Sequence, residues 1–502
     1  MNYTSTIDKD WLEYSKENPD LKQMIEASSS YYRVRPLWKN VAAQIVKCDV
    51  PAIYPVNLAM DETMKLMHVY FRFIRSEPSH ETDDHTYDLS KSPGLPYSKH
   101  QMRDKRSVIE RKRKLLIKFT FDLGYPVIDS YNDKDELLDI EDLERGKVRG
   151  VFGSSFHGII REKFLYGLQN KKILEVHNES WIKYGLAKQY GGFNKAIRKL
   201  EKFPFVWESD VSGYDRKIFL KFVYEIRNEN VLKKDLFKDM IEAVTESNVY
   251  PTVLLPNGYV VRRKTGNNSG KNNTTCDNSI AHKIIMVYMF VKRLREINKP
   301  VSLTYIYTNV ELLIYSDDKL GGMNLSAFDW ETPQEFLDYE RAIYAEFGLE
   351  CKVSSQVHSL KEVGQRVPPV HSFLGSFTHY DENLDVYVPY PRFGKICSSL
   401  VQKYSNPDIL IRFCRTVNLT VSCYPNPDIF SRALHYLNWF YNKHPKFNYL
   451  FDEALHMYDI DINARSSFRR VYLGFESEQQ IDLPFGSLQK MLPFGRAPAG
   501  KF

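Results

Sequence analysis

The chain has 502 residues, 43% hydrophobic and 26% charged, a balance that suits several packed subdomains of a globular protein and excludes a largely disordered polymer. A net charge of +6 and a pI near 8.7 permit a polyanionic partner without demanding one. Aromatic residues reach 14%, led by 33 Tyr and 30 Phe, enough for a large core or for surfaces on which bases stack.

Cys48, Cys276, Cys351, Cys397, Cys414 and Cys423 are scattered without C-x-x-C or zinc-like spacing, which predicts free thiols in a reducing compartment. Met1 to Tyr14 lacks the apolar core of a signal peptide. The most apolar run, Ile284 to Val291, is far shorter than the roughly 18 residues of a membrane span. These features predict a soluble intracellular protein.

In chain order, residues 1 to 90 mix short helical patterns with Pro-bounded loops and end in the polar run Ser79-His80-Glu81-Thr82-Asp83-Asp84-His85, either a solvated loop or a metal-holding patch. Ser92-Pro93-Gly94-Leu95-Pro96 is a stiffened loop. Arg103 to Lys118 predicts a basic helix, a solvated face or a surface for nucleic acid. Lys147 and Arg149 alternate with apolar neighbours, which puts both cations on one strand face. Phe156 to Phe193 is mainly helical in pattern. Phe203 to Trp207 enters a buried strand that stops at Glu208-Ser209-Asp210. Residues 216 to 250 read as helices, Tyr259 to Lys264 as a basic strand, and Cys276 to Leu294 as one helix. Phe336, Tyr339, Ile343 and Phe347 form one stripe of a further helix. Beyond residue 381 the pattern turns helical, from Ser398 through Tyr441, and the Pro/Gly-rich end repeats Leu-Pro-Phe-Gly at 483 and 492.

Three stretches carry chemistry. Leu312 to Tyr315 is an apolar strand that leads into Ser316-Asp317-Asp318 and resumes at Leu320, which predicts a tight hairpin with both acids exposed at its tip. Alone, the pair reads as an ordinary acidic turn or as a cation site. Asp210 closes its strand and Asp215 follows five residues later; Asp210 taken alone also reads as a helix N-cap. Gly266 to Asn278 is a Gly/Ser/Asn loop opening a helix, a plain cap or a cradle for a nucleotide phosphate. Carboxylates from separate strands meeting at one point are what metal-assisted phosphoryl transfer requires.

Together, Asp210-x4-Asp215, then Ser269-Gly270-x3-Thr274-x3-Asn278, then a strand ending in Ser316-Asp317-Asp318 resemble motifs A, B and C of viral RNA-dependent RNA polymerases. Lys134-Asp135-Glu136-Leu137 with Gly146-Lys147-Val148-Arg149 resembles motif F, Ser92-Pro93-Gly94 motif G, and His371-Ser372-Phe373-Leu374-Gly375 motif E. The similarity spans residues 90 to 380. It points to picornavirus-like positive-strand viruses, and the wording of the second and third motifs is most like astroviruses.

The resemblance implies an α+β right hand with an antiparallel palm sheet backed by helices. N-terminal extension and fingers would occupy 1–203 and 221–265, palm 204–220 and 266–380, a helical thumb 381–480 and a tail 481–502. It implies Asp210 and Asp317 as principal metal ligands, assisted by Asp318, holding Mg2+ or alternatively Mn2+. Asp215, Asn278, Ser269 and Thr274 would recognise the ribose 2′-hydroxyl, while Lys134, Lys147 and Arg149 would grip the triphosphate. Lys352 is the candidate general acid towards pyrophosphate. Implied partners are RNA template and product, NTPs, a protein primer and other viral replication proteins, in membrane-associated replication complexes of the host cytoplasm. The chain departs from most relatives at Ser316, where they carry Gly, at Leu138, where the pattern continues with Arg, and at Gly375-Ser376, where they place a basic pair.

Two alternatives compete. Tyr315-Ser316-Asp317-Asp318 also fits a reverse transcriptase, although Asp215 with Asn278 favours ribonucleotides. A silent RNA-binding protein on the same fold is the other, and the full set of acids speaks against it.

Overall fold

The computed structural model describes residues 2–4, 7–18, 31–35, 42, 50–79, 89, 91–100, 102–134, 137–140, 150–353, 372–382, 384–402 and 408–474. Lys147, Arg149, the polar run from His80 to His85, His371 and the repeated Leu-Pro-Phe-Gly segment lie outside them.

A four-stranded antiparallel sheet sits at the centre, in the order Glu350–Val353, Phe205–Ser212, Asp318–Met323, Val310–Tyr315. Its faces alternate as the pleat requires. Leu312 and Ile314 enter the main core, whereas Leu313, Leu320 and Val206 pack on the opposite face against Phe193, Ile197 and Phe373. Both faces are covered, which is why Leu312 to Ile314 reads as a continuous apolar run. Gly321 makes room for an aromatic neighbour: a Cβ there would lie 2.4 Å from the Trp207 ring.

The helix Thr274–Glu296 backs the sheet. Every residue from Asn278 to Val291 is fully buried, the expected state for a helix apolar on nearly all sides. Two cations travel inside with it. Lys283 places its ammonium 3.3 Å from the centre of the Tyr70 ring, with Trp181 and Tyr307 close by, and burial holds its pKa well below the usual lysine range. Lys319, on the strand above, pairs with Glu340 of the helix Pro333–Glu346, both fully buried; Trp207 Nε1 donates to the same Glu340 oxygen at 3.1 Å.

Elsewhere the structure corrects the sequence reading. The helix starting at Phe156 ends at Glu175, and the next, Gly192–Arg198, begins after a turn with Tyr190 and Gly191 in the left-handed region. The chain beyond residue 381 does not turn helical at once. Val386–Pro391 pairs with Ser376–Asp381 in a hairpin, and helices begin only at Phe393. The β-branched and aromatic run Val386-Tyr387-Val388 favours that strand. The basic helix runs Lys105–Phe121, with Asp104 and Ser107 forming a reciprocal cap.

The helices Phe393–Val401, Ile409–Ser422, Pro427–Lys443, Asn448–Met457 and Arg465–Leu473 share a second core. The N-terminal helix Lys9–Glu17 joins it: Trp11 meets Tyr436 edge-on at 4.6 Å. Asp8 and Asp10 lie against Arg412, and Asp10 also against Lys443.

Candidate active site

The Phe205–Ser212 and Asp318–Met323 strands pair with Leu320 opposite Glu208. Two residues beyond that pair, Asp318 and Asp210 lie at the same end of the two strands, and strand alternation turns both to the face away from the buried Lys319 and Trp207. Asp210 and Asp317 are exposed. Asp318 is not, which corrects the expectation of two acids exposed at the tip. Its Oδ2 accepts the Leu374 N–H at 2.7 Å, from the turn between Ser372–Phe373 and Ser376–Asp381. Burial, reinforced by Asp317 and less strongly by Glu208 and Asp210, pushes the Asp318 carboxyl up to about 7. The mutual repulsion of these carboxylates suits a cation, and their hard oxygen donors fit Mg2+ or Mn2+. Among the described residues no three acidic, His or Cys side chains are already gathered into a cage. Mg2+ characteristically takes one or two carboxylates and completes its shell with water and substrate phosphates. Asp210 also lies within 3.5 Å of the Lys352 ammonium, an exposed and therefore weak pair.

The hairpin turn is strained. Ser316 has φ +62°, a conformation glycine adopts freely and other residues at a cost of about 1–2 kcal/mol. Three residues on one side of the Thr274–Glu296 helix hold it. Ser316 N donates to Ser279 Oγ at 2.8 Å, the Ser316 carbonyl meets His282 Nδ1 at 3.0 Å, and Asn278 Nδ2 donates to Ser316 Oγ at 3.1 Å. A carbonyl can only accept, so His282 carries its proton on Nδ1 and its Nε2 accepts a hydrogen bond from the Tyr344 hydroxyl at 2.6 Å. Burial, with Lys319 adding, lowers the His282 pKa to about 3 and keeps the ring neutral.

Asn278 Nδ2 also donates to Asp215 Oδ1 at 2.7 Å, so the structure joins these two sequence-predicted residues directly. The hydroxyls of Ser269 and Thr274 have other partners. Ser269 Oγ accepts the Phe152 N–H at 3.1 Å, and the Thr274 hydroxyl donates to the Asn268 carbonyl at 2.7 Å; both brace the loop. Gly270 is required there, since a Cβ would lie 1.9 Å from the Phe152 carbonyl oxygen. Asn267 escaped the sequence reading. Its Nδ2 donates to Asn278 Oδ1 at 3.0 Å and its backbone N–H to the Asp215 carbonyl at 2.7 Å. Lys188 was missed as well: it binds the Leu374 carbonyl at 2.9 Å and Ser376 Oγ at 3.0 Å. No local pattern marks a lysine so far away in sequence. Lys134 is exposed just beyond the strand Ile128–Asp133; Lys147 and Arg149 lie outside the described residues.

Acids on adjoining strands, an amide paired to a third acid and a tight turn make an arrangement suited to phosphoryl transfer. Residues 23–365 match the family of viral RNA-dependent RNA polymerases, well over half of the chain. The chain belongs to that family. This polymerase accordingly has the right-hand α+β fold. It is 22% identical over 304 residues to the genome polyprotein of Tobacco vein mottling virus, covering 57% of this chain and 10% of the relative. With the genome polyprotein of Bean yellow mosaic virus it shares 23% over 295 residues, 55% of this chain and 9% of that one. The Beet mosaic virus polyprotein is 26% identical over 158 residues, 31% of this chain and 5% of its own. The polymerase thus spans a tenth or less of the length of these curated relatives, which support a picornavirus-like placement. No helix among its described residues is long and apolar enough to cross a membrane.

Proposed function

We propose that the chain performs templated RNA synthesis, attaching an NTP to an RNA 3′-hydroxyl with release of pyrophosphate and so replicating a viral genome. The observation that supports the reading is the antiparallel pairing of the strand that carries Asp210 with the strand that begins at Asp318, Leu320 opposite Glu208, beside the exposed Asp317. Asp210 and Asp317, assisted by Asp318, would hold the divalent ions. When bound, such ions acidify the attacking hydroxyl and neutralise charge on the leaving pyrophosphate.

The chain's own residues supply the rest. Asp215 and Asn278 orient the ribose through its 2′-hydroxyl, on a loop braced by Ser269 and Thr274. Lys134, Lys147 and Arg149 offset triphosphate charge. Lys352 donates a proton to pyrophosphate, a role its position beside Asp210 supports. The finger, palm and thumb boundaries implied by the motifs, the astrovirus-like placement, a protein primer and work in membrane-associated cytoplasmic complexes belong to the same proposal.

Primer extension on an RNA template, with Mg2+ and Mn2+ compared, tests it. Ribonucleotide incorporation should be lost in the Asp317→Ala, Asp318→Ala double variant while RNA binding, which rests on cationic contacts to phosphates, is largely kept. Synthesis that persists unchanged in the double variant, or a clear preference for dNTPs in the unaltered protein, would overturn the reading.

A further inference from the structure

Every hydrogen of the Asn278 side-chain amide is already committed. One N–H goes to Asp215 Oδ1 at 2.7 Å and the other to Ser316 Oγ at 3.1 Å, while its oxygen accepts from Asn267 at 3.0 Å. Asn278 is fully buried, whereas Asp215 is exposed and Ser316 half-buried. A ribose approaching this pair therefore meets Asp215 first. It reaches the Asn278 amide only if one of the two acceptors lets go. The bond to Asp215 is short and charge-assisted; that to Ser316 is longer and between neutral groups, so Ser316 is the one to yield. Yielding takes a single χ1 rotation, because the Ser316 backbone is held independently by Ser279 and His282.

We propose that Ser316 is a specificity-determining residue whose hydroxyl takes the place of a sugar 2′-hydroxyl on Asn278. With an NTP bound, the 2′-hydroxyl replaces Ser316 as acceptor. With a dNTP bound, Ser316 stays, and the buried N–H keeps its partner. A site that rejects a deoxy sugar does so because a polar group is left unpaired inside it. Ser316 removes that penalty, so this site discriminates against dNTPs less sharply than the same site without the hydroxyl. The inference rests on the polymerase reading and on the placement of the ribose at Asp215 and Asn278.

The test is single-nucleotide extension of a primed RNA template by the full chain, comparing ATP with dATP in the unaltered protein, Ser316→Gly and Ser316→Ala. Glycine suits the positive φ and alanine keeps the strain, so an effect shared by both belongs to the hydroxyl. The ratio of kcat/KM for ATP to that for dATP should rise about tenfold in both variants, mainly through dATP. A hairpin merely loosened by the change would slow both nucleotides alike; an unchanged or lower ratio would overturn the inference. Failure of the unaltered protein to incorporate ATP on a template would instead defeat the polymerase reading, which separates the two.

Discussion

Leu374 donates its backbone N–H to Asp318 Oδ2 at 2.7 Å while Lys188 holds the Leu374 carbonyl at 2.9 Å. One residue's backbone thus ties a lysine from the segment before residue 190 to an acid of the candidate metal site. Burial lowers the Lys188 pKa, and the Asp318 charge opposes that shift. Removing the tie in Lys188→Met should raise the Mg2+ concentration for half-maximal synthesis about tenfold, the usual scale for residues that orient metal ligands. Titration of activity against Mg2+ reads this; an unchanged midpoint would show that Leu374 is held without Lys188.

Asn278 sits between Asp215 and Ser316, so truncating it should act opposite to changes at Ser316. Asn278→Ala removes the amide that a 2′-hydroxyl would meet, and the ATP-to-dATP ratio of kcat/KM should fall about tenfold or more. Competition between the two nucleotides on one template measures it.

Lys352 lies 3.5 Å from Asp210 Oδ2. If it protonates pyrophosphate, Lys352→Leu should lower kcat about 100-fold with little change in KM for NTP. Rapid-quench measurement of a single addition separates this from slow product release; a rise in KM alone would assign Lys352 to binding.

The buried pair of Lys319 and Glu340 predicts a stability effect. Lys319→Met leaves the Glu340 carboxylate without its cation inside the core, and should cost about 3–5 kcal/mol. Adding Glu340→Gln removes that charge yet keeps an oxygen for Trp207 Nε1, and should recover most of the loss. Denaturant unfolding of the three proteins tests the order.

Glu162 supplies a pH dependence. It is fully buried, accepts the Asn272 N–H at 2.8 Å and lies 3.8 Å from Lys271. Burial pushes its carboxyl up to about 7, against the pull of Lys271. Because the folded state holds this proton more tightly than the unfolded chain, stability from this group declines as pH rises from the usual carboxylate range towards 7. Glu162→Gln should flatten the stability profile across that window. An identical slope in both proteins would place the titration elsewhere.

Order and spacing along the chain determined the family and the residues of the candidate site. Asp210, Asp215, Asn278 and Asp317-Asp318 are legible because each motif lies within one strand, loop or helix, where local periodicity sets which residues share a face. The Thr274–Glu296 helix and the Asp317 hairpin follow from the same local rules. What the tertiary structure alone decided concerns partners distant in sequence. Lys188 reaching Leu374 and the N-terminal helix Lys9–Glu17 docking on the C-terminal helices have no local signature, since nothing in a single segment encodes the chain that will cover it. The two acids of the hairpin differ for the same reason. They are neighbours of identical chemistry, yet Asp317 meets solvent while Asp318 lies under a turn more than fifty residues later. Ser316 reads from sequence only as a departure from glycine. The fold turns that departure into a contact, by bringing a hydroxyl on a left-handed turn to within 3.1 Å of the Asn278 amide.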